Sequence, residues 1–193
     1  MEALEIYTVG NKKLEIHQDD VSGDSPREWS NLSTFVFTDG NGDKTDFEFE
    51  GGYNSRQEFI EQGEIEIRKH FKDVVICLPV NKYTHSGVGY STSNSYPYNC
   101  QWDSGTIGFV VVTKAQIREN WNIKRVTKDY IAQAEGIVEG EVETFSQWAN
   151  GDVYGFIIKE DGEETDSCWG FYGMDIKTNG ILDYVGDEWK EVA

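Results

Sequence analysis

A chain of 193 residues, 38% hydrophobic and 13% aromatic, has the apolar mass to pack one domain of ordinary size, which excludes a disordered chain. With 35 acidic residues against 17 Lys and Arg, the formal net charge is −18, which disfavours direct nucleic-acid binding because phosphate recognition calls for a large basic surface. No run of 18 apolar residues occurs, so no spanning helix is expected, and Met1 to Gly10 lacks the basic start and apolar run of a signal peptide.

In chain order, Leu4 to Ile6 and Leu14 to Ile16 alternate with polar residues around Gly10-Asn11 and predict an opening hairpin. Asp19 to Glu28 predicts a loop. Phe35 to Phe37 and Phe47 to Phe49 flank Asp39-Gly-Asn41-Gly-Asp43 and predict a second hairpin. Ser55 is placed to cap a helix running to about His70, with Phe59 and Ile60 inward and Gly63 a weak point. Buried Val74 to Val80, then Gly87 to Thr92 and Ile107 to Val112, predict strands, the last nearly all apolar and hence central.

Thr113 and Thr127 can each start a helix. The second is the clearer, because Ile131, Ala134, Val138, Val142, Phe145 and Trp148 recur at helical spacing. Its opposite face carries Glu135, Glu139 and Glu143 four residues apart, a like-charge pattern that destabilises an isolated helix by roughly 0.2–0.5 kcal/mol per pair. Solvation is the ordinary fate of such a face; a cationic partner turns the penalty into a gain. Val153 to Lys159 and Thr165 to Phe171, joined through Asp161-Gly162, make the plainest hairpin. Trp189 offers an anchor for the acidic tail. Strands and helices mix without strict alternation, so the expected fold is α+β: a mostly antiparallel sheet of hairpins packed on two or three helices, in a single domain spanning residues 1–193.

The charge is uneven. Residues 1–64 hold 15 acids and 5 bases, and residues 152–193 hold 11 acids and 3 bases, whereas the segment between them is balanced at 9 of each. If the two ends lie close, as termini often do, the acidity gathers on one side.

No motif identifies a catalytic site. Asp39, Asn41, Asp43 and Glu50 fall at ligand positions of a calcium loop, but Lys44 stands where that loop needs glycine, so a polar turn is the better reading. The three cysteines, Cys77, Cys100 and Cys168, lack C-x-x-C spacing and read as reduced thiols of a cytoplasmic protein. The histidines (His17, His70, His85) are scattered, so no metal is expected, and no nucleotide fingerprint or other cofactor signature is present. His85, Trp102, Asp103, Cys168 and Trp169, with Cys100, compose the alternative pocket: nucleophile, base, orienting acid and aromatic walls of an enzyme or small-ligand binder, provided they meet. The basic cluster of Arg118, Lys124, Arg125 and Lys128 is small beside the acidity.

A series of strings carries a resemblance: Ser25-Pro-Arg-Glu-Trp29 with Asn31-Leu32, His85-Ser-Gly87, Cys100-Gln-Trp-Asp-Ser-Gly105, Gly140-Glu-Val-Glu-Thr144, Gly151-Asp-Val-Tyr-Gly-Phe156 and Asp166-Ser-Cys-Trp-Gly-Phe-Tyr-Gly173. Over residues 19–173 the chain resembles a family of small, largely uncharacterised bacteriophage and mobile-element proteins. It departs in residues 38–60, where an acidic stretch replaces a more basic one, and at Ser30 and Ser33, where Asp and Gly are usual. The resemblance brings no active site. It implies a mobile-element origin and action in the host cytoplasm. Joined to the charge, it leads to the expectation of a non-enzymatic inhibitor of a host defence nuclease, anti-CRISPR or antirestriction, that fills a basic nucleic-acid groove as a nucleic-acid mimic. The expected partner-binding residues are Asp43, Asp46, Glu48, Glu50, Glu139, Glu143, Glu160, Asp161, Glu163 and Glu164, with no cofactor and no membrane contact. A structural phage protein is a further alternative.

Overall fold

A computed structural model of the protein describes residues 2–20, 23–92 and 102–192. Its first elements are β1 (Glu5–Val9), β2 (Lys12–Gln18), β3 (Thr34–Phe37), α1 (Arg56–His70), β4 (Val74–Thr84), β5 (Val88–Ser91) and β6 (Ser104–Thr113). There follow α2 (Lys114–Trp121), α3 (Lys128–Asn150), β7 (Val153–Glu160), β8 (Glu163–Tyr172), α4 (Ile181–Val185) and β9 (Lys190–Glu191). The fold is α+β with two antiparallel sheets. No helix among the described residues is long and apolar enough to cross a membrane. The chain forms two compact units, Met1–Asp24 with Gln147–Ala193, and Ser25–Ser146.

The first unit holds a five-stranded sheet in the order β8-β7-β2-β1-β9. The hairpins β1–β2 and β7–β8 form where the alternation and turn residues place them. Asp161 and Gly162 both take positive φ (52° and 91°), the pair of left-handed residues that a two-residue turn needs to follow strand twist. Leu14, Ile16, Phe156, Phe171 and Ile181 fill one core, onto which Trp189 packs. Trp189 also donates its indole N–H to the Val185 carbonyl at 3.0 Å. On the other face of this sheet Gly155 lies under the Trp169 ring: a Cβ there would stand 2.2 Å from a ring carbon.

The second unit holds a four-stranded sheet in the order β3-β6-β4-β5. Central β6 buries Phe109 to Val112 completely. On one sheet face α1 contributes Phe59 and Ile67 to a core with Val36, Phe109 and Val111. On the other, Phe145 of α3 meets Phe35 at 5.5 Å and Tyr90 at 4.8 Å between ring centroids. Ser55 caps α1 by accepting the Glu58 N–H, and Thr113 with Gln116 forms a reciprocal capping box on α2. Gly63 is no weak point. A Cβ there would stand 2.7 Å from the Phe109 ring, so the glycine lets α1 lie close on the sheet.

One expected hairpin is absent. Phe35 to Phe37 belongs to β3 and pairs with β6, while residues 47–49 form no strand. The outward edge of Phe35 is already satisfied, since its N–H donates to Asp43 Oδ2 (2.8 Å) and its carbonyl accepts the Asp43 N–H (2.8 Å). With that rung closed by Asp43, the following chain turns across the α1 face instead of pairing with β3.

Candidate functional site

Beyond Asp43 the chain alternates strictly: Asp46, Glu48 and Glu50 are exposed while Phe47 and Phe49 are half-buried. The rings provide the anchorage. Phe47 packs on Phe49 at 5.0 Å, and Phe49 on Phe59 (5.2 Å) and Phe109 (5.9 Å). The alternation sets the three carboxylates on the solvent side of the segment, over an aromatic base. Buried Glu66 of α1 fixes its far end by accepting the Glu50 N–H (3.0 Å) and the Tyr53 hydroxyl (2.8 Å). Burial, and then the Glu66 hydrogen bond, hold the Tyr53 hydroxyl above its ordinary pKa. Two cavities flank the row. One of about 340 Å³ is lined by Asp46, Glu48, Glu50, Glu66, Lys69 and His70; another of about 510 Å³ has Phe37, Phe47 and Phe49 in its walls.

Asp43 differs from the other carboxylates of this segment. Both of its oxygens are held by Arg27, through Nε at 3.0 Å and Nη2 at 2.6 Å. The same guanidinium donates to Glu141 Oε2 (3.3 Å) and lies 3.7 Å above the Phe35 ring centroid. Glu141 in turn accepts the N–H groups of Leu32 (2.6 Å) and Ser33 (3.2 Å) and the Ser33 hydroxyl. Asp43 thus serves as an internal counter-ion that ties the acidic segment to α3. Asp39 is committed likewise, accepting from Lys82 Nζ (2.8 Å) and from Asn41. Burial opposes ionisation there, but the Lys82 and Asn41 hydrogen bonds win and hold the Asp39 carboxyl below its usual pKa. These two aspartates therefore bind cations of the chain itself.

The helical acids Glu135, Glu139 and Glu143 are exposed on α3. In the first unit the β7–β8 tip presents Asp161, Glu163, Glu164 and Asp166 to solvent, with Glu160 near Lys12 (3.9 Å) and within reach of the Asn11 amide (3.2 Å). The acid-rich ends of the chain meet in this unit, where β1 pairs with β9 and β2 with β7. Residues 1–24 and 147–193 carry 17 acids against 5 bases, a net of −12, and residues 25–146 carry 18 against 12, a net of −6.

Of the alternative pocket, His85, Trp102 and Asp103 belong to the second unit. His85 Nδ1 lies 3.6 Å from Asp103 Oδ2, beyond a good hydrogen bond, and the His85 side chain is 66% exposed. Trp102 beside them is 95% exposed. Cys168 and Trp169 belong to β8 of the first unit, and Cys100 falls outside the described residues. Cys77, on β4, is a packing residue whose thiol burial pushes up to about 12.

Several residues of this arrangement went unassigned in the sequence: Arg27, Ser33, Glu66 and Glu141. The two glutamates did leave a signal. Glu66 follows Phe59 and Gly63 by seven and three residues, and Glu141 follows Val138 by three, so each carboxylate sits on its helix's apolar stripe. An acid so placed needs a partner.

Comparisons with family models, with curated proteins and with solved structures find no match to this chain, so its function is argued from the geometry above.

Proposed function

We propose that the protein acts by binding, as an acidic occupant of a lysine- and arginine-lined nucleic-acid groove, and that the groove belongs to a host defence nuclease of the restriction or RNA-guided kind. The observation that carries this reading is the anchored row Asp46, Glu48, Glu50, held on a base of phenylalanine rings. Glu48 and Glu50 form no ion pair among the described residues, and neither do Glu135, Glu139, Glu143 and Glu163. Carboxylates kept in place before binding lose little conformational freedom on docking, so more of their attraction to a cationic groove survives as affinity. Opposite fields also steer the encounter, with on-rates that fall as salt is added. The mobile-element resemblance supplies the choice of a defence nuclease among possible groove-bearing partners.

A DNA-cleavage assay over a panel of restriction and RNA-guided nucleases tests the proposal. The wild-type protein is expected to inhibit at least one member in competition with DNA, more weakly at 300 mM than at 50 mM salt. The variant Glu48→Lys, Glu50→Lys, Glu163→Lys, Glu164→Lys is expected to lose at least 100-fold in potency while keeping its circular dichroism and melting temperature. His85→Ala and Cys168→Ser are expected to inhibit like wild type. Full potency in the folded charge-reversed protein, or no inhibition across the panel, refutes the reading.

A further inference from the structure

Of the 17 Lys and Arg of this chain, six form ion pairs with its acids among the described residues. Lys12, Arg27, Arg68, Lys82, Lys114 and Lys159 each pair with a carboxylate. The corner joining α2 to α3 gathers four of the others in one place. Arg118, Lys124, Arg125 and Lys128 fall within eleven residues, all four are exposed, and none makes an ion pair among the described residues. Only Glu119 and Asp129 oppose them between residues 115 and 130. The corner is closed by Trp121, last residue of α2, whose ring lies 5.5 Å from that of Tyr130 in the first turn of α3. Both rings are partly exposed, which sets two aromatic faces among four unpaired cations.

We propose that this corner binds the backbone of a single-stranded nucleic acid, with Trp121 and Tyr130 stacking on its bases. Cations that track phosphates, interleaved with aromatic rings that take any base, are how proteins hold single strands without reading sequence. The net charge of −18 does not forbid this contact, because screening limits its reach to about 8 Å at physiological salt. The next exposed acid on α3, Glu135, stands seven residues beyond Lys128, about 10.5 Å along the helix axis. The aromatic pair is what favours a nucleic acid over an acidic protein segment, which offers charge but nothing to stack.

Fluorescence anisotropy with a labelled 20-residue oligodeoxythymidylate tests the proposal directly, and it needs no nuclease. Four neutralised phosphates imply a slope of log K against log salt of about −2.8, or roughly a 50-fold weakening between 50 and 200 mM salt. Binding with that dependence, at least tenfold weaker in Lys124→Ala, Arg125→Ala and again in Trp121→Ala, is the expected result. Absence of binding by the wild-type protein at 50 mM salt overturns the proposal, as does unchanged binding in a folded Arg118→Glu, Lys124→Glu, Arg125→Glu, Lys128→Glu variant. Equal competition by a poly-glutamate peptide overturns it too, in favour of an acidic protein partner. Because the charge-reversed acidic variant keeps this corner, loss of nuclease inhibition with retained oligonucleotide binding separates the two proposals.

Discussion

Arg27 is the residue on which the second unit's acidic segment depends. Its side chain is 7% exposed, and it faces Asp43 and Glu141 at once. Arg27→Met removes the positive charge and leaves two little-exposed carboxylates without their shared cation, the kind of change that costs about 3–5 kcal/mol. Urea denaturation at pH 7 is expected to show a loss of that size, whereas Glu139→Gln on the exposed face of α3 is expected to stay within about 0.5 kcal/mol of wild type. In the first unit the Glu15 carboxyl is held below its ordinary pKa chiefly by the hydrogen bond from Lys159 (2.7 Å), with a smaller contribution from His17, against the opposing effect of burial. A depressed carboxyl contributes stability that is present above the unfolded value of about 4.3 and is lost as pH falls through the folded value. Glu15→Gln is therefore expected to be less stable than wild type at pH 7, and the gap is expected to close as urea titrations are repeated down to pH 3. A gap that stays constant with pH rules out this carboxylate as a source of acid sensitivity.

Among the elements, α1 shows which of two opposed effects governs a position. Replacing Gly63 by Ala raises intrinsic helix propensity by about 0.8–1.0 kcal/mol. The new methyl enters the space of the Phe109 ring, and such overpacking costs typically 1–3 kcal/mol. Gly63→Ala is thus expected to lower stability by about 1 kcal/mol, and a thermal scan showing a raised melting temperature refutes the close contact. Local elements are legible in the sequence. The Asp161-Gly162 turn, the Ser55 and Thr113 caps and the apolar run at Ile107 to Val112 each carry their cause within a few residues. What escaped was non-local. The hairpin expected at residues 35–49 failed because Asp43 is captured by Arg27, sixteen positions earlier, and a two-residue strand such as β9 has no periodicity to detect. The site divides the same way. Exposure of Asp46, Glu48 and Glu50 follows from alternation with Phe47 and Phe49, but only the fold distinguishes them from Asp43, which is consumed internally.

For the whole molecule, the segregation of charge outranks any single residue. The acidic row and the basic corner suit two kinds of partner, and added salt weakens both contacts, so salt does not tell them apart. Reversal of charge at each surface is the discriminating experiment, since each variant leaves the other surface unaltered. A protein whose acids merely kept it in solution would tolerate the acidic reversal without loss of any binding.

The pairing of β2 with β7 has a consequence for biosynthesis. Strands β1 and β2 leave the ribosome about 135 positions ahead of β7, the neighbour that β2 requires, which at 5–20 residues per second is a wait of roughly 7–27 s. An isolated two-stranded hairpin is marginal in water, so the nascent amino-terminal segment spends that interval without stable structure. Residues 25–146, contiguous in the chain, have everything their own sheet needs and are free to fold first.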